Sequence, residues 1–223
     1  KRPEILEKMR EAFFITVFCG IETPDPDALK AMQKDHNMMV PILEGIHTIN
    51  SYGMEVVSGI IMGLDTDKPE TGDALLAFVE ESRIPLLTIN LLQALPQTPL
   101  WDRLKREGRL LDDESRDSNV QFLLPHDQVV DSWRRCMEVA YTPEKLFARY
   151  EYQCSYTYTQ RIKVPVTPEQ KSWANIKRAL IMLRNIFWKV GVLGDYRKVF
   201  WKFALGRLRR GDIEGLIASA MIG

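Results

Sequence analysis

The residues best suited to chemistry fall in three short stretches. Glu22 closes Cys19-Gly20-Ile21-Glu22-Thr23, Asp65 and Asp67 follow the glycines of Gly59-Ile60-Ile61-Met62-Gly63-Leu64-Asp65-Thr66-Asp67, and Gln93 opens Gln93-Ala94-Leu95-Pro96-Gln97-Thr98-Pro99-Leu100. A carboxylate directly after an apolar strand can hold an ammonium group or ligand hydroxyls through charge-assisted hydrogen bonds. Glu22 also suits plain helix entry, before Asp25 and Pro26. Ser58, Gly59 and Gly63 suit close approach of backbone to a ligand, because glycine puts no side chain in the way; glycines at strand ends are also ordinary turn residues. Leu91 and Leu92 read as core, and Gln93 as the better polar contact. Cys19 stands beside these residues, but a buried, inert thiol is its default role.

The elements that must position these residues alternate. Residues 13–18, 54–62 and 85–92 have the length and the Val, Ile, Leu and Phe content of strands buried on both faces, and each is followed by a helical pattern. Asp25-Pro26-Asp27 offers a cap and a first-turn proline, Gly53 ends a helix over 39–52, and Gly108 ends one over 99–107. This alternation predicts an α/β fold with a parallel sheet and right-handed crossovers, in which ligands sit at the C-terminal strand ends. Three strands neither close a barrel nor make a good isolated sheet, so the expected partner of this half is a missing N-terminal half of the same chain. A polar linker over 109–119 follows, and then helices only, over 125–140, 143–152, 167–190, 195–209 and 213–221.

With 223 residues and 45% hydrophobic content the chain can bury a full core. No apolar run is long enough to span a membrane, no signal peptide is visible, and the sequence opens at Lys1 without an initiator methionine. A piece of a longer cytoplasmic protein is the expectation. Three cysteines, Cys19, Cys136 and Cys154, are too dispersed for a metal knuckle and too few for a disulfide framework. His36 and His47 lack a second ligand one helical turn away, and His126 stands at a helix start between Pro125 and Asp127, so all three read as surface or packing residues. Net charge is zero, yet residues 171–210 hold eleven Lys or Arg against one acid, Asp195, leaving nineteen basic and twenty-nine acidic residues elsewhere.

Taken in order and spacing, the three strand-end loops resemble the second half of the radical S-adenosylmethionine (SAM) barrel, a partial (β/α) barrel. The first is similar to its G-I-E-[ST] loop, the second to its G-x-I-x-G loop, and the third to its P-G-T-P-L segment. The G-[FL]-D-x-D form of the second loop, and Leu104-Lys105-Arg106-Glu107-Gly108-Arg109-Leu110 after the third, resemble the subgroup with a cobalamin-binding domain before the barrel and a helical domain after it, and within it hopanoid C-2 methylases. The resemblance is good over residues 1–120 and mainly positional over 121–223. It implies a half-barrel over 1–120 and an α-helical C-terminal domain over 121–223, with SAM held by Glu22, Ser58, Gly59, Gly63, Leu91 and Gln93. It also implies a [4Fe-4S] cluster and cobalamin whose ligands and domain lie outside this chain. The family's second loop often carries a glutamate three residues after its last glycine; Thr66 stands there, and Asp65, Asp67 or Glu70 would have to substitute.

The implied activity is that of the parent protein: cluster-driven cleavage of SAM to a 5′-deoxyadenosyl radical and cobalamin-dependent C-methylation of a lipid-like substrate. The alternatives are a sibling radical SAM oxidoreductase or cyclase reaction, or a non-catalytic membrane-docking or partner-binding module. The segment over 149–158, with Tyr150, Tyr152, Tyr156 and Tyr158, reads either as an extended channel lining or as a packing seam. The basic stretch over 171–210 interleaves Trp173, Phe187, Trp188, Phe200, Trp201 and Phe203 with its cations and is the expected site of peripheral membrane contact. Nucleic acid is a less favoured partner, and the half-barrel alone is expected to aggregate.

Overall fold

The computed structural model describes residues 2–31, 40–112, 117–162 and 172–212. The chain divides into two compact units, Val17–Thr48 with Val56–Tyr141, and Lys1–Thr16 with Ile49–Glu55 and Thr142–Gly223. The last division along the chain falls after Tyr141.

The first unit is built on a parallel three-stranded sheet of order β1-β2-β3, with β1 Thr16–Glu22, β2 Glu55–Met62 and β3 Leu86–Leu91. Helices α2 Pro26–Ala31, α3 Ile42–Ser51, α4 Thr71–Ser82, α5 Pro99–Arg106 and α6 His126–Ala140 accompany it, α3 ending in residues that belong to the other unit. The expected cap at α2 forms, with Asp25 Oδ1 accepting the Asp27 N–H at 2.9 Å; at α5, Thr98 Oγ1 accepts the Trp101 N–H at 3.2 Å ahead of Pro99.

Strand β1 begins later than the apolar run predicts. Phe13 takes a left-handed φ of +61° and its N–H bonds to Arg10 O, so Phe13 and Phe14 finish helix α1 Pro3–Glu11 instead of starting the strand. Cys19, Gly20 and Ile21, expected in a loop, are strand residues.

The sheet is also covered on one face, not two. Burial alternates strictly along β2 and β3, with Val56, Ser58, Ile60, Met62, Leu87, Ile89 and Leu91 turned to the covered side. The covered side packs with Leu75, Val79 and Ile84, each contributing roughly 1.5–3 kcal/mol by burial. The outer edge of β3 is sealed by α6, which lies against α4 and β3. Trp133 Nε1 donates to Ile89 O at 2.8 Å, and the Tyr141 hydroxyl accepts the Leu87 N–H at 3.0 Å and donates to Leu87 O. Side chains thus satisfy ladder groups that an edge strand would leave open.

The described flanks of the linker expected over 109–119 pair antiparallel: Leu110 bridges Val120, and the Gln121 N–H donates to Arg109 O at 2.8 Å. Its residues Ser118 and Asn119 clasp the end of β3. Ser118 Oγ donates to Leu92 O at 2.6 Å, while Asn119 accepts from Ala94 N at 2.9 Å and donates to Ala94 O at 2.8 Å.

The second unit contains α7 Pro143–Tyr152, a π turn Gln153–Thr157, a short 3-10 turn Tyr158–Gln160, α8 Trp173–Trp188, a second π turn Lys189–Leu193 and α9 Arg197–Arg209. Phe147, Tyr150, Cys154, Val190, Phe200, Phe203 and Ala204 form its core. The extended reading of 149–158 is overturned, because Arg149, Gln153 and Thr157, spaced by four, are all fully buried on one helical side. Tyr150 is buried in the core and Tyr158 packs against it. Burial raises the Cys154 thiol to about 11, which keeps it protonated and inert. Residues 213–221, read as a last helix, and His36 lie outside the described residues.

Candidate functional site

The open face of the sheet is built from alternate residues. Register pairs Gly59 with Thr88 and Ile61 with Asn90, and Thr88 and Asn90 are exposed. On β1, Phe18 and Gly20 are exposed, Phe18 to 67%. At Gly59 the floor is as low as a backbone allows: a methyl there would lie 3.2 Å from Thr88 Oγ1 and 3.8 Å from Phe18 Cζ. The surface therefore offers a flat patch with a hydroxyl and a carboxamide beside it. Glu22 ends β1 half-buried and left-handed, with φ +65°. A non-glycine residue held in that conformation is strained, a feature that clusters at functional sites.

The six sequence-derived residues do not converge on this face. Glu22 and Gly59 border it. Ser58 is fully buried on the covered side, where its hydroxyl donates to Cys19 O at 2.8 Å and ties β2 to β1. Leu91 is on the covered side as well. Gly63 lies beneath the Phe122 ring, and Gln93 donates to Asp117 O at 2.8 Å, next to the Ser118–Asn119 clasp. Thr88 and Asn90 were legible only as the alternate positions of Leu86-Leu87-Thr88-Ile89-Asn90-Leu91, a pattern hidden inside an apolar run.

The carboxylates after β2 hold the loop itself. Asp67 Oδ2 accepts the Gly63 N–H at 2.7 Å and the Leu64 N–H at 3.1 Å, and burial pushes its carboxyl above the usual range. Asp65 is clamped by Arg109 at 2.6 Å and Arg103 at 2.8 Å, and the Arg109 hydrogen bond leads the effects that lower its carboxyl. Glu70 stays exposed.

These two shifts have opposite signs in acid. Asp65 is depressed in the folded state, so its stabilisation is present above the ordinary carboxylate range and is lost as pH falls through the folded value. Asp67 is raised, so its stabilising share is full below its unfolded value and is lost as pH rises through the folded one. Asp65→Asn should flatten the acid limb of a denaturant-derived stability profile below about pH 4, whereas Asp67→Asn should steepen the fall of stability with acid just above about pH 4. Parallel profiles for the two variants would contradict this assignment.

Among the described residues no group of three or more His, Cys, Asp or Glu could hold a metal ion, and no helix is long and apolar enough to cross a membrane. His126 stacks on Phe122 with ring centroids 6.0 Å apart, a packing role. Cys19 is half-buried, and burial raises its thiol.

Comparison with known proteins places these elements in a lineage. The chain is homologous to the hopanoid C-2 methylase of Rhodopseudomonas palustris (strain TIE-1), 69% identical over 217 residues, covering 97% of this chain and 41% of the relative. An uncharacterized methyltransferase of Synechocystis sp. is 32% identical over 212 residues, 92% of this chain and 38% of that protein. A bacteriochlorophyllide d C-12(1)-methyltransferase of Chlorobaculum tepidum is 25% identical over 118 residues, 53% of this chain and 26% of that protein. The chain thus spans well under half the length of each of these relatives. A family described as a domain of unknown function, DUF4070, matches residues 98–223, more than half of the chain, and the chain belongs to that family.

Proposed function

We propose that the protein is a methyltransferase of the radical SAM kind that works with a [4Fe-4S] cluster and cobalamin, and that its substrate is a hopanoid-like polycyclic lipid. The observation that carries this reading is the 69% identity to a hopanoid C-2 methylase along nearly the whole chain. The strand-end loops that resemble the radical SAM barrel supply the finer part.

The open sheet face suits SAM in three respects. Gly59 and Gly20 leave room for a flat purine, Asn90 and Thr88 offer polar groups beside it, and Glu22 brings a carboxylate to the end of β1 for an ammonium group or ribose hydroxyls. When bound, SAM would supply radical chemistry and a methyl group; the residues here would bind and orient it. The cluster and the corrin find no donor set among the described residues, so no step is assigned to this chain through them.

The test is SAM affinity, measured by calorimetry on the full-length protein. Gly59→Val, which fills the floor, and Asn90→Ala should each weaken binding about tenfold or more, equivalent to about 1.4 kcal/mol. Gln93→Ala should leave affinity within about twofold, because that side chain is committed to Asp117. Unchanged affinity in both Gly59→Val and Asn90→Ala would remove the open face from the site. Failure of the reduced, fully loaded enzyme to methylate a polycyclic triterpene would remove the proposed reaction.

A further inference from the structure

Helix α8 carries a face that the described residues of the helical unit leave uncovered. Near the C-terminal end of α8, Phe187 meets the aromatic core, stacking on Trp201 and meeting Phe200 edge-on. Along the helix Trp173, Leu180, Ile181 and Trp188 are 75%, 57%, 41% and 60% exposed. At 3.6 residues per turn, positions 173, 177, 180, 181, 184 and 188 fall on one stripe about 22 Å long. Lys177 and Arg184 are the exposed residues between the apolar ones. The following π turn adds exposed Val192 and Leu193.

Charge narrows what can cover this stripe. From Trp173 to Gly194 the chain has four cations, Lys177, Arg178, Arg184 and Lys189, and no carboxylate. A second copy would set these cations against their own like charges. A nucleic acid would engage the cations and indoles but gain nothing from Leu180, Ile181, Val192 and Leu193. The headgroup layer of an anionic bilayer uses all three components: indoles at the interface, aliphatic groups at the acyl boundary, and cations on the lipid phosphates.

We propose that α8 and the π turn after it form a docking surface for an anionic lipid bilayer, lying in the headgroup layer with Trp173, Leu180, Ile181 and Trp188 inserted and Lys177 and Arg184 on lipid phosphates. The surface is independent of the proposed chemistry at the sheet.

The test is sedimentation of the full-length protein with vesicles of phosphatidylcholine alone or mixed with phosphatidylglycerol, together with tryptophan emission. The protein should sediment with the mixed vesicles at low salt, release at high salt, and show a blue shift on binding. Lys177→Gln with Arg184→Gln should weaken binding roughly thirtyfold, the effect of removing two surface-apposed cations. Trp173→Ser with Trp188→Ser should abolish the blue shift and weaken binding at least tenfold. Each site is exposed, so both double variants should keep the wild-type melting temperature. Wild-type protein left in the supernatant with mixed vesicles would overturn the proposal, as would wild-type binding by both double variants. Tight binding to a single-stranded oligonucleotide without vesicle binding would assign the surface to nucleic acid instead.

Discussion

Gly63→Ala should destabilise the sheet unit by about 3 kcal/mol, far beyond what one added methyl suggests. Gly63 follows the last residue of β2 with φ +89°, and its added methyl would lie 2.5 Å from Cε1 and 2.9 Å from Cδ1 of Phe122. Left-handed backbone costs a side-chain-bearing residue about 1–2 kcal/mol. Displacing a packed ring costs about 1–3 kcal/mol more. Phe122 cannot retreat freely, because it is buried and stacked on His126. Gly108→Ala is the control: its φ is +68°, but an added methyl there meets nothing within 4 Å. It should cost only the conformational part, about 1 kcal/mol. Phe122→Leu should recover part of the loss in Gly63→Ala and none in Gly108→Ala, a coupling that a double-mutant cycle reads directly. Equal unfolding free energies for Gly63→Ala and Gly108→Ala would dispose of the packing argument.

That result bears on the candidate site as well as on stability. The Gly63 N–H is one of the two donors held by Asp67, so the loop after β2 is fixed from beneath by Phe122 and from within by a carboxylate. A glycine that sequence alone suggests for ligand approach thus has a structural reason to be glycine. Its neighbour in the same pattern, Gly59, has its Cα on the open face and meets only side chains there. The two glycines of one motif have different constraints, and only the contacts of each separate them.

What the sequence made legible was local. Periodicity with proline and glycine punctuation marked α5, α6, α7 and α9 within a few residues, because these signals act between near neighbours in the chain, although of these four only α5 has a side-chain N-cap bond. The strand content of β2 and β3 followed from their Val, Ile and Leu. The onset of β1 was not legible, since Phe13-Phe14-Ile15 has strand composition and a left-handed Phe13 nevertheless turns it into a helix end. Nor was the open face, because Val57, Ile61 and Leu86 are as apolar as their covered neighbours. The contacts that set the charge of the β2 loop were out of reach for another reason. Asp65 meets Arg103 and Arg109, about forty residues along the chain, after two further elements have folded back. Of the two readings of the Tyr-rich segment, the extended one rested on its apparent alternation; the four-residue spacing of Arg149, Gln153 and Thr157 was the stronger periodicity.

In the helical unit Arg207→Ala should lower stability by about 3 kcal/mol, near the lower end of the range for breaking a buried ion pair. Arg207 is 2% exposed on α9 and joins it to α7 and the π turn. Nε donates to a Glu151 carboxylate oxygen at 3.0 Å, Nη2 to Glu151 O at 3.1 Å and Ser155 Oγ at 2.9 Å, and Nη1 to Asp212 at 3.0 Å. Its partners keep some solvent contact, which allows both carboxylates to rehydrate once the guanidinium is gone and holds the cost below the fully buried limit. Burial opposes ionisation of Glu151, but the hydrogen bonds from Arg207 and Arg210 outweigh it and hold the carboxyl below its usual range. Arg210→Ala removes a contact to the same carboxylate, 2.7 Å long but made by a side chain that is 61% exposed, and should cost under about 1 kcal/mol. The contrast separates a buried clip from a surface ion pair sharing one acceptor. Hydrogen exchange should show where the clip acts, with amides of α9 and the π turn 153–157 losing protection in Arg207→Ala while those of β2 and β3 do not. If Arg207→Ala proves no more destabilising than Arg210→Ala, aromatic packing of Phe200 and Phe203 holds α9 to α7 without it.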